Sequence, residues 1–236
     1  MQTRSNITSY QGGRRVGSSI LASGKIPLWI KLSYTAFMAV LAPVYYSEYG
    51  LTNFLYFCDI ALFLTLVGVW TESAFLTSMA AVGILAPQMI WCADFAAQLA
   101  GFKITGMTAY MFNPELPLFL RGLSFFHGWL PFFLVFLVAR LGYDRRALPA
   151  WTLTAWSLML ISYFFMPRPG TVLPNPKAPV NINYVFGSSD DAAQTWMPEL
   201  AWLSLMLVAL PVFFYVPTHF VLKKLCKPSA NPQPSQ

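Results

Sequence analysis

The sequence predicts an all-α fold: a polytopic transmembrane helix bundle with six spans and both termini cytoplasmic. Three observations carry this. Of 236 residues, 56% are hydrophobic and 17% aromatic, while only 10% are charged, against ~25% in an average soluble domain. The apolar residues fall into six runs near the ~20 residues that a bilayer core of ~30 Å requires. The basic residues gather on one side of those runs. A disordered chain is excluded, because it would be polar and poor in aromatics. Three cysteines, Cys58, Cys92 and Cys226, are too few to staple a fold of this size. The runs are continuous and do not alternate, which excludes a β-barrel.

Residues 1–26 read as a polar, basic flank, residues 27–226 as the six-helix domain, and residues 227–236 as a disordered tail. The spans are expected from about Leu28 to Tyr46, Asn53 to Trp70, Ala74 to Leu99, Leu120 to Leu141, Pro149 to Met166, and Leu200 to Leu222. Pro43, Pro87, Pro131, Pro211 and Pro217 fall inside them. In a bundle, neighbouring groups satisfy the carbonyls that proline frees, so kinks are expected rather than breaks. Arg14 and Arg15 precede only a weak apolar run broken by Lys25, so no cleavable or twin-arginine signal is read. Asn6-Ile7-Thr8 matches a glycosylation sequon.

Orientation follows from Lys and Arg. Arg4, Arg14, Arg15, Lys25, Lys31, Arg140, Arg145, Arg146, Lys223, Lys224 and Lys227 share one side, which is 11 of 15 basic residues. Lys103, Arg121, Arg168 and Lys177 lie on the other. The positive-inside rule then puts both termini in the cytoplasm. The net charge of +6 is topology charge. No basic patch with interleaved aromatics appears, so nucleic acid is not an expected partner. Two outer loops are long. Residues 100–119 are expected to lie on or re-enter the membrane, and residues 167–199 to form a functional or a mobile surface loop.

Ionisable residues within spans carry the functional reading. Cys58 and Asp59 sit in the second span, Asp94 and Gln98 in the outer part of the third, and His127 near the outer end of the fourth. Cys58 lies ~9 Å inward of Thr52, and His127 lies at a similar depth inward of Arg121. Ala61, Thr65, Gly68 and Glu72 continue the Cys58 face as a small, polar stripe suited to helix contact. A thiol paired with an imidazole can act as a nucleophile, with Asp94 or the loop amide of Asn183 orienting the ring. The plain structural alternatives are a packing cysteine, a helix-bridging histidine and an aspartate held by a partner. Two histidines without His-x-x-His spacing argue against a metal. No phosphate loop, dinucleotide fingerprint or Gly-x-Ser-x-Gly elbow is present, so no cofactor is expected.

Three segments carry a family resemblance: Phe54-Leu55-Tyr56-Phe57-Cys58-Asp59-Ile60, Ser124-Phe125-Phe126-His127-Gly128, and Asn183-Tyr184. Over roughly residues 51–222 the chain resembles the YwaF-like integral membrane proteins, relatives of eukaryotic polytopic acyltransferases and fatty-acid-ester hydrolases. Here Asp59 follows the cysteine where the family often has Ser, and the loop lacks the family's glycine. The resemblance implies Cys58 as nucleophile, His127 as base, and Asn183 and Tyr184 as support. It further implies acyl transfer or hydrolysis on a lipid ester in a bacterial inner (plasma) membrane. Membrane lipids are the expected partners. The alternative is a non-enzymatic scaffold or a small-solute channel or carrier subunit.

Overall fold

A computed structural model describes residues 24–229. Arg4, Arg14, Arg15, the Asn6 sequon and most of the tail lie outside the described residues. The described chain is helical: α1 (Leu28–Tyr49), α2 (Phe57–Thr71), α3 (Ala74–Leu99), α4 (Leu118–Ser124), α5 (Phe126–Leu141), α6 (Ala147–Phe165), α7 (Glu199–Leu210) and α8 (Val216–Leu225). Five stretches are long and apolar enough to cross a membrane.

Three expected spans are not uniform helices. The second opens as a 3-10 turn over Leu51–Leu55, and α2 proper has 15 residues, ~22 Å long at 1.5 Å per residue. The fourth divides into α4 and α5 at Phe125. The last is interrupted by a π-turn over Pro211–Tyr215. The first span runs on to Tyr49 and stops at Gly50, whose φ of 82° suits glycine.

Hydrogen bonds tie the helix ends into two groups. At one end, Glu72 accepts from Lys25 N, Ile26 N and Lys31 Nζ at 2.9, 3.3 and 2.9 Å. Arg140 Nη2 donates to Lys25 O at 3.1 Å. Tyr143 N donates to Lys227 O at 2.8 Å, and Asp144 N to Ser78 Oγ at 3.0 Å. This basic end therefore gathers the starts of α1, α3 and α6 and the ends of α2, α5 and α8. At the other end, which the positive-inside rule expects on the outer side, Asn175 Nδ2 donates to Glu48 O at 2.8 Å. The chain thus traverses the bundle six times, alternating in direction. Burial pulls the Glu72 carboxyl upward, but Lys31 and the two backbone amides outweigh it and hold it below its usual range.

Helix α3 is the axis. It packs against α2, α5, α6, α8 and the π-turn. Its membrane window is 56% buried, against 11% for the last span, which lies at the periphery. The small stripe on α2 does face the bundle, with Ala61, Thr65 and Gly68 buried. A Cβ on Gly68 would fall 2.9 Å from Thr77 Cγ2. A Cβ on Gly83 would fall inside the indole of Trp151, which is fully buried.

Proline is accommodated by replacement donors. α1, α3 and α5 run on through Pro43, Pro87 and Pro131. Pro131 has no N–H for the carbonyl four residues back, and the Cys92 thiol donates to that His127 oxygen at 3.7 Å. Pro211 frees Leu207 O in the same way, and Trp156 Nε1 donates to it at 2.8 Å. Pro217 lies in the first turn of α8, where a missing N–H matters least.

Two predictions follow from this packing. Gly83→Ala is expected to cost about 1–3 kcal/mol through collision with Trp151, read as a lower Tm in detergent. Gly122→Ala, where a Cβ meets nothing within 4 Å, should leave Tm unchanged; equal effects would refute the packing argument. Asp144 supplies a pH dependence. The side-chain hydrogen bonds from Arg146, with its Nη2 2.7 Å from Oδ2, outweigh burial and hold the carboxyl low. A lowered folded pKa gives stability that is present above the ordinary value of 3.8 and is lost as pH falls through the folded value. The Tm gap between wild type and Asp144→Asn should therefore be widest at neutral pH and close in acid. A constant gap would contradict it.

Candidate functional site

Two carboxyls are buried in the outer half of the bundle, and the chain treats them differently. Asp94 is fully buried. Its Oδ1 accepts from the backbone N–H of Ile104, Thr105 and Gly106 at 3.1, 2.6 and 3.0 Å. Its Oδ2 accepts from Thr108 N at 3.0 Å and Thr108 Oγ1 at 2.7 Å. Thr108 Oγ1 also reaches Gln98 Oε1 at 3.0 Å. Asp94 and Gln98 therefore hold the 100–117 loop over the end of α3. Both carboxylate oxygens face the loop, and neither bonds to His127. Such a nest of amides is a structural use of a carboxylate.

Asp59 is nearly as buried, at 3% exposure. Its Oδ2 takes a long contact of 3.4 Å from Asn53 Nδ2 and one of 3.9 Å from the Cys58 thiol. Its Oδ1 has no partner. Around it stand residues from four other elements. Tyr45, from α1, is buried near Asp59, Cys58 and Ser124. Tyr110, in the loop turn, pairs with Ser124 Oγ at 2.9 Å, and burial pushes its hydroxyl up to about 12. Tyr56 and Tyr184 close the outer side near Cys58 and Asp190.

The heights of the helices locate the remaining groups. Gly68 packs on Thr77 across the α2–α3 hairpin, so Cys58, about ten residues further out, stands level with residue 87 of α3. Gln88 is at that height, buried, with both amide atoms unpartnered. His127 is level with Cys92, through the thiol–carbonyl contact. The thiol bonds to Asp59, and His127 Nδ1 lies 2.8 Å from Ser124 O. The structure forms no hydrogen bond between Cys58 and His127.

The imidazole still has a defined state. The break at Phe125 turns Gly128 N to Phe125 O at 2.9 Å, leaving Ser124 O for the ring. A carbonyl only accepts, so Nδ1 carries the hydrogen and Nε2 keeps its lone pair. The ring stacks on Trp91 and Phe126, with centroids 5.5 and 4.0 Å away.

Asn183 and Tyr184 belong to the outer loop, which is not an unattached segment. Asn183 Nδ2 donates to Leu55 O at 2.9 Å, and its Oδ1 accepts from Phe57 N at 3.2 Å. This caps α2, whose own preceding side chain offers no cap. Asn183 and Asn181 sit at φ 58° and 48°, a left-handed region that asparagine tolerates. Asn181 donates to Gly187 O and Ser189 O and accepts from Phe186 N. Asn183 thus positions the turn bearing Cys58 and does not orient His127. Tyr45, Asn53, Tyr110 and Gln88 are members of the site that sequence reasoning missed. Asn53 and Gln88 were visible as polar residues at span positions. The tyrosines had no distinguishing pattern.

Asp94→Asn should replace acceptor capacity with an amide that repels N–H donors, costing about 1–3 kcal/mol. Hydrogen exchange of the amides at Ile104, Thr105, Gly106 and Thr108 is expected to quicken, while that of α3 stays slow. Unchanged loop exchange would contradict the anchoring role. No family model, no curated protein and no solved structure matches the chain.

Proposed function

We propose that this integral membrane protein is a carrier or channel-type subunit in which Asp59 exchanges a proton, or binds a small polar solute, from the outer side. The observation that supports this is the contrast between the two carboxyls. Asp94 has five donors, whereas Asp59 Oδ1 has none. An ionisable side chain inside a span marks a pathway by default, and a free oxygen is what an exchanging group needs. In this reading the paired hydroxyls of Tyr110 and Ser124 would serve as relay groups. The positive-inside rule assigns the basic end, and both termini, to the cytoplasm.

A second reading keeps the thiol chemistry implied by the YwaF-like resemblance, and the free Nε2 of His127 favours it. In that reading His127 takes the Cys58 proton, and the thiolate attacks the carbonyl of a lipid ester. The alcohol leaves, and the acyl group passes to water or to an acceptor alcohol. It requires the Cys58 thiol to leave Asp59 for the His127 ring.

Proteoliposomes loaded with pyranine and given an external acid step, with valinomycin and potassium carrying counter-charge, separate the readings. Wild type should acidify the lumen. Asp59→Asn should slow this about tenfold, and Cys58→Ala should leave it intact. Equal flux in wild type and Asp59→Asn would sink the carrier reading. Loss of acyl-probe labelling in both Cys58→Ala and His127→Ala, at unchanged Tm, would establish the thiol reading.

A further inference from the structure

The bundle carries a lateral apolar groove of about 650 Å³ between α1 and α5. Both helices flank α2, and aromatic rings bridge the gap between them. Tyr34 stacks on Phe133 at 5.4 Å, and Phe37 meets Trp129 edge-on at 5.1 Å. The Tyr34 hydroxyl donates to Leu62 O at 3.0 Å, so the floor is pinned to α2. Ile30 and Phe136 line the stretch nearer the basic end. The groove spans about ten residues of α1, or ~15 Å.

Arg140 stands at its mouth. Two cations of the basic end are paired within the protein, Lys31 with Glu72 and Arg146 with Asp144. Arg140 gives one bond, from Nη2 to Lys25 O, and has no carboxylate partner among the described residues. Its Nε and Nη1 edges remain free for an anion. Trp29 sits beside it, 68% exposed, as an interfacial indole does.

We propose that this groove holds an acyl chain of an anionic phospholipid from the leaflet at the basic end, with the lipid phosphate paired to the Arg140 guanidinium. The aromatic wall is apolar and open sideways, while the Arg140 guanidinium, with no carboxylate partner among the described residues, stands at its basic end. Guanidinium–phosphate pairing is geometrically favoured. Basic pockets between helices at this membrane face select anionic headgroups. The site is separate from the Asp59 cluster, which lies at the outer end.

Trp129 provides the readout. The full-length protein is reconstituted in phosphatidylcholine vesicles with increasing fractions of lipid brominated on its acyl chain. The brominated lipid is either phosphatidylglycerol or phosphatidylcholine. The signal is the tryptophan quenching lost on Trp129→Phe. Brominated phosphatidylglycerol should reach half-maximal quenching at about fivefold lower mole fraction than brominated phosphatidylcholine. The preference should vanish in Arg140→Gln, persist in Arg140→Lys, and shrink at high salt. Equal quenching by the two lipids, no Trp129-dependent quenching by either, or a preference unchanged in Arg140→Gln would overturn the proposal. The wild-type lipid comparison decides the matter even where Arg140→Gln does not fold.

Discussion

Inside a bilayer a polar group has no water to bond to, so its partner must come from the protein. That requirement organises this bundle. Pro131 strips a donor from the His127 carbonyl, and Cys92 supplies one. Pro211 does the same to Leu207, and Trp156 answers it. The break at Phe125 frees Ser124 O, and the His127 ring takes it up. Helix α2 begins without a cap of its own, and Asn183 reaches in from the far loop to bond both sides of the junction. Several residues that look like chemistry in the sequence are thus repairs to interrupted backbone.

The outer loops fold for the same reason. Asp94 offers a buried carboxylate at the end of α3, and the 104–108 turn wraps its amides around it. Asn181 and Asn183 adopt left-handed backbone that most side chains resist, and their amides stitch the second loop to itself and to α2. A proline-rich loop with buried Ile182, Val185 and Phe186 is a cap on the bundle.

The fold was legible because span length, charge sorting and proline placement are local quantities. The third span is bounded by Ala74 and Leu99 as hydropathy expects, and the small stripe on α2 faces inward. The interruptions were not legible. The carbonyls freed by Pro131 and Pro211 depend on donors contributed by α3 and α6, which no window of sequence contains. The site was half legible. Polar residues in spans pointed to Cys58, Asp59, Asp94, Gln98 and His127. Their partners were not foreseeable, because depth counted from a loop ignores helix register. Counting placed Cys58 and His127 at similar depth, and it could not show that the thiol contacts Asp59 while the ring bonds to Ser124 O.

Register also separates groups that serve the fold from groups that face outward. Asp94 and Glu72 are buried or half-buried acids with full sets of donors. Asp59 with a bare oxygen, Arg121 with a buried Nε that has no partner, and Arg140 with no carboxylate partner among the described residues depart from this pattern. Under the two proposals, the external partner is a proton or solute for Asp59 and a lipid headgroup for Arg140. Because the two lie on opposite ends and touch different helices, a change at Arg140 should alter lipid selection without altering exchange at Asp59. Additivity is the expectation for sites this far apart with no shared contact.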